Sequence, residues 1–210
     1  MNLGRNLLRA LYDWLAPANT AIHADLIFVL AGRQSRKTYG LQLFRQTLAP
    51  RILLSVGRFE IRRFANLDLP APIDLLQLAS AIPPPQRHFF VHLERNETHV
   101  EQVPPGRFGT LTEVEALAKW VRQQPEVASV LVISSAAHLR RVRICCRALL
   151  PGHVRAWLVP VPENPGFRRE RWWQDSETRN AVLSELVKLP AYKMILWLRK
   201  TKRHRASEPA

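Results

Sequence analysis

Short, unbroken apolar runs ending in glycine or hydroxyl residues, separated by helix-length segments, limit the folds open to this chain. "ADLIFVLAG" (24–32), "RILLSVG" (51–57) and "VLVIS" (130–134) lack a polar residue at every second position. Each therefore reads as a strand covered on both faces, the condition of strands in a parallel sheet. A helix predicted over 36–48 joins the first two into a βαβ unit. Further strands are expected at 88–94 and 155–161, and helices at 2–15, 73–81, 110–124 and 137–150. The polar, turn-rich stretch 95–109 reads as a long loop, and the C-terminal part as one or two helices interrupted near Pro190. The expected class is α/β: a three-layer Rossmann-like sandwich with a mostly parallel sheet and C-terminal helices. A single domain is expected over 1–200, followed by a basic, disordered tail over 201–210.

In an open parallel sheet, ligands bind beyond the carboxyl ends of the strands, where loops converge with helix N-termini. Those ends read "AGRQSR" (31–36), "SVGRFE" (55–60), "SSAAHLRR" (134–141) and "PENPG" (162–166), and "GTLTEVE" (109–115) opens a helix on the same side. They collect glycine, hydroxyls, arginine and histidine. Ser134 and Ser135 are suited to cap the next helix. Capping needs neither His138, expected in the first helical turn, nor Arg141 one turn later. A histidine at a helix N-terminus is held neutral by the dipole, so it can serve as a base or a hydrogen-bond donor.

Charge points to the same units. The chain has 31 Lys plus Arg against 17 Asp plus Glu, a formal net charge of +14, and 25 of the 31 bases are Arg. Between Asp25 and Glu60, and again between Glu126 and Glu163, there is no acid but a succession of bases. Such a field attracts phosphorylated ligands, nucleic acid or an acidic membrane face. Backbone N–H groups at helix N-termini together with Arg forks suit phosphate. No nucleic-acid recognition motif or aromatic platform is present, so nucleic acid is not the expected partner. The adjacent Cys145 and Cys146 diverge on a helix and support neither a disulfide nor a metal site. The seven histidines and the acids show no ligand spacing, so no metal is expected. No run is long enough to cross a bilayer, and the start of the chain is too charged for a signal peptide. A cytoplasmic protein follows as the expectation. A peripheral contact with the inner, anionic membrane face stays open, through the basic run 199–205.

With these residues in view, the chain resembles the YdcF/SanA/ElyC-like bacterial family. Its members typically read "AD-hydrophobic-VLGG", then Arg leading a helix into "AP-hydrophobic-SGG", then "NTxENA", then "VTSxxHxxRA". Here "ADLIFVLAG", Arg36 in "RKTYGLQLFRQTLAPRILLSVG", "GTLTEVEAL" and "VISSAAHLRRV" follow in the same order, over roughly residues 24–200. The resemblance implies Gly32, Arg36, Ser55, Gly57, Thr110, Glu113, Ser134, Ser135, His138 and Arg141 as site residues. It departs from the family's pattern at Ala31, Arg33, Val56 and Glu113. The family is linked to envelope and polysaccharide biogenesis, and many members carry an N-terminal membrane anchor that this chain is expected to lack.

With the resemblance implying bacterial envelope or exopolysaccharide biogenesis as the setting, these features suggest a domain that binds a phosphorylated or nucleotide-type small molecule, with or without acting on it. In an enzyme of this kind, a hydrolase or transferase, His138 is the general acid/base, with Glu113 as a second acid/base or an arginine partner. Arg36 and Arg141 clamp anionic oxygens, while Ser55, Thr110 and Ser134 orient the ligand. The alternatives are a non-catalytic ligand sensor or scaffold at the membrane, and a nucleic-acid binder. No cofactor is specified by the sequence.

Overall fold

The computed structural model describes residues 3–69, 73–94, 97–104, 106, 109–163 and 169–206, and for 202–206 the backbone alone. In chain order these form α1 (Leu3–Leu15), β1 (Leu26–Val29), α2 (Gln34–Arg45), β2 (Arg51–Gly57), α3 (Ile61–Phe64), α4 (Leu75–Ser80), β3 (His88–Glu94), β4 (Glu97–Gln102), α5 (Gly109–Arg122), β5 (Ser129–Ser134), α6 (Leu139–Leu149), β6 (Arg155–Pro160) and α7 (Ser176–Ala206).

The six strands make one sheet in the order β4-β3-β2-β1-β5-β6. β1 runs parallel to β2 and β5, and β5 to β6, whereas β3 is antiparallel to both β2 and β4. The chain steps from β1 to β2 on one side and later enters β5 on the other. That reversal leaves a crevice beyond the carboxyl ends of β1 and β5.

Both faces of the sheet are covered, so its inner strands are apolar at successive positions. Ile27, Val29, Ile52, Leu54, Leu131 and Ile133 pack with residues of α2, α3 and α4. Leu26, Phe28, Leu53, Phe90, Val130 and Val132 pack with α5, α6 and Tyr192 of α7. Period-2 alternation then directs Ser55 and Ser134 toward the α5 and α6 layer. A satellite cluster joins Tyr12 and Leu15 of α1 to Trp172 and to Val182 and Leu189 of α7. The result is the expected three-layer, Rossmann-like α/β sandwich.

Several elements differ from expectation. Part of the predicted loop over 95–109 is β4, an edge strand whose residues are exposed or half-buried along their length. It lacks the apolar period because neither face is buried in the core. α7 continues without interruption through Pro190 and on to Ala206. Pro190 itself is exposed, so its ring projects from the outer side of the helix. The basic stretch to Ala206 is therefore helical, and the rest of the expected tail, 207–210, lies outside the described residues. Cys145 and Cys146 are buried thiols of the α6 core. No helix among the described residues is long and apolar enough to cross a membrane.

Candidate functional site

A cleft of about 900 Å³ opens beyond the carboxyl ends of β1, β5 and β6. One wall is the stretch after β1, with Gly32, Arg33, Ser35 and Arg36, together with the turn Ser135–His138 after β5. The other is α7, which contributes Glu177, Ser184, Glu185 and Lys188, while Tyr12 of α1 and Glu163 close one end. This volume falls in the range of small-molecule sites.

α2 begins at the cleft, and among the described residues no side chain caps its N-terminus. Gly32 precedes it at φ +140°, a conformation that L side chains avoid. A Cβ there would stand 2.7 Å from Arg36 Nη1, so glycine lets the buried guanidinium lie against the backbone. Arg36 Nε and Nη2 donate to Ser135 Oγ at 3.1 and 2.9 Å, and Nη1 donates to the Ala31 carbonyl. Among the described residues, three of its five N–H donors are thus used, leaving one on each terminal nitrogen. Burial pulls the Arg36 pKa down, and the charges of Glu113 and Glu60 push it back up. Ser135 thus serves Arg36, and the cap expected of Ser134 and Ser135 does not form.

Behind this wall lies a chain of buried polar groups. Ser134 Oγ is 2.7 Å from His138 Nδ1, and Thr110 Oγ1 is 3.1 Å from His138 Nε2. Arg141 donates through Nη1 to Thr110, and through Nε and Nη2 to the two Glu185 oxygens at 2.7 Å each. Burial, with the charges of Arg141 and Arg36, holds His138 well below its ordinary pKa, so the ring is neutral. Burial works to lower the Arg141 pKa, but the hydrogen bond and charge of Glu185 outweigh it and the net shift is upward. Arg141 borders the cleft, yet its fork is committed to Glu185. That pairing ties α6 to α7.

Glu113 forms a second centre. Its Oε1 accepts from the Ala31 N–H and from Ser55 Oγ, both at 2.6 Å, and Ser55 in turn lies 2.7 Å from His88 Nε2. Because the one Ser55 proton goes to Glu113, His88 is the donor to Ser55. Burial raises the Glu113 pKa and lowers that of His88 to about 4. Alongside, Lys37 pairs with Glu60, which also accepts the Gly32 N–H. Burial lowers the Lys37 pKa and raises that of Glu60, each opposed by the other's charge.

The structure thus brings Gly32, Arg36, Ser135, His138 and Arg141 onto the cleft. It sets Ser55, Thr110, Glu113 and Ser134 behind them, all buried. Gly57 borders Ala31 and Glu60 away from the cleft lining. Sequence reasoning missed His88, Lys37, Glu60 and Glu185. His88 begins β3, and only antiparallel pairing opposite Gly57 carries it to this end of the sheet. Glu185 did leave a signal: an acid within the apolar stretch "VLSELVKL" needs a buried partner. No cluster of His, Cys, Asp or Glu suited to a metal ion occurs among the described residues. Comparison with protein-family profiles, with curated proteins and with solved structures returned no match.

Proposed function

We propose that this chain binds a phosphorylated or nucleotide-type small molecule in the cleft, with the anionic group seated between the N-terminus of α2 and Arg36. The observation that carries this is the buried Arg36 guanidinium, placed on the cleft wall beside a helix N-terminus that no side chain among the described residues caps. Backbone N–H groups, the helix dipole and a guanidinium then converge on one spot. The acids lining the cleft are already engaged: Glu185 with Arg141, Glu177 with Arg33, Glu163 with Tyr12, and Asp175 with the Thr178 N–H. The motif order resembling the YdcF/SanA/ElyC-like family supports the same location and adds envelope or exopolysaccharide metabolism as the setting. If turnover occurs, His138 on the cleft lining is the group placed for proton transfer, with Glu113 buried behind it. A ligand sensor without turnover is the second reading, favoured by the hydroxyls that occupy both His138 nitrogens.

The test is a melting-temperature comparison with pyrophosphate, nucleoside diphosphates and sugar phosphates, each beside its unphosphorylated counterpart. At a ligand concentration ~100-fold above Kd, a rise of roughly 5–10 °C is expected for the binding class. Arg36→Gln should remove it. No rise with any phosphorylated compound, or the same rise with the unphosphorylated counterparts, would overturn the assignment. Turnover of the stabilising compound then separates enzyme from sensor.

A further inference from the structure

One face of α7 packs into the fold and the opposite face is left bare. Val182, Glu185, Leu189 and Tyr192 are buried, and Ile195 and Leu196 rest partly buried on the core. On the other side Leu183, Val187, Pro190, Met194, Trp197 and Leu198 recur at helical spacing. Val187, Met194 and Trp197 there are 77%, 59% and 63% exposed. The exposed Lys193 and Lys200 border this stripe. From 186 to 206 the chain has seven Lys and Arg residues and no acid. The neighbouring α1 repeats the pattern, with Leu3 and Leu7 exposed.

We propose that this face of α7 is a docking surface for an anionic lipid bilayer. An apolar stripe bordered by lysines is what an interfacial helix needs, with hydrocarbon side chains at the acyl boundary and ammonium groups among lipid phosphates. The charge argues against a second copy as the occupant, because a symmetric contact sets two acid-free, cationic stretches against each other. Duplex nucleic acid satisfies the lysines but leaves Val187, Met194 and Trp197 in water. The surface is independent of the cleft ligand, so either can fail without the other.

The test is cosedimentation of the full chain with vesicles of phosphatidylcholine alone or mixed with phosphatidylglycerol, at low and high salt. Binding is expected to the mixed vesicles at low salt only. The triple change Val187→Asp, Met194→Asp and Trp197→Asp, at exposed positions that leave the melting temperature unchanged, should weaken it by at least about tenfold. Lys193→Gln with Lys200→Gln should weaken it while keeping the stripe intact. Failure of the parent to bind mixed vesicles, or equal binding by the triple variant, overturns the proposal. So does a concentration-dependent dimer, or retention on random duplex DNA, that the triple change removes.

Discussion

His138 and His88 are neutral because a buried imidazolium would lose its hydration, and that has a measurable consequence for acid stability. Both have folded pKa values below the ordinary one, so below pH ~6.5 the unfolded chain binds the extra protons. Their contribution is complete above that pH and is lost as pH falls, for His88 down to about 4. The melting temperature should fall over this window. His88→Gln, whose amide also donates to Ser55, should flatten the fall, and an unchanged slope would show that His88 does not titrate on unfolding. Glu113 has the opposite sign: its raised pKa means that ionisation at higher pH costs stability. Glu113→Gln should therefore melt no lower than the parent at pH ~8. Arg141 and Glu185 give a sharper residue-level check. Arg141→Ala leaves a buried carboxylate without its partner and should cost about 3–5 kcal/mol in denaturant unfolding. Arg141→Met combined with Glu185→Leu should return to within ~1–2 kcal/mol of the parent. A single-variant loss below ~1 kcal/mol would mean that the pair does not hold α6 to α7. Of these residues His138 and Arg141 were legible in the sequence, because polar groups at strand ends and helix starts stand out, whereas Glu113 was marked only by the family resemblance. The pairings were not, because Thr110–His138 and Arg141–Glu185 are contacts between elements distant along the chain.

The element that shapes the site is α2, which packs against β1 through a glycine. A Cβ at Gly40 would overlap Val29 Cγ2, so the helix lies closer to the sheet than alanine permits. Gly40→Ala should cost about 1–3 kcal/mol of unfolding free energy by overpacking. Gly32→Ala acts at the other end of the same unit: it strains a positive-φ position by roughly 1–3 kcal/mol and displaces Arg36. Its diagnostic effect is loss of the phosphate-dependent rise in melting temperature. β1, β2 and β5 were legible as strands because burial on both faces makes them continuously apolar. β4 was not, since an edge strand with exposed charges has the composition of a loop. The direction of β3 was also hidden, because strand patterning records burial and not polarity along the sheet.

At the scale of the molecule, a net charge of +14 draws anions to any surface, so affinity alone does not locate a site. The sequence pattern led to the expectation of a site at the carboxyl ends of the strands, and a cleft opens there. It did not foresee that α7 would form the second wall of the cleft, because that wall depends on how the C-terminal helix docks across α6. The deciding measurement is an amide NMR titration of the whole chain with pyrophosphate at physiological salt. The N–H signals of Gly32, Gln34, Ser35 and Arg36 are expected to shift together with one saturable Kd, and Arg36→Gln to abolish the shifts. Saturable shifts confined to the basic end of α7, or shifts spread over surface arginines without saturation, would contradict this placement of the site.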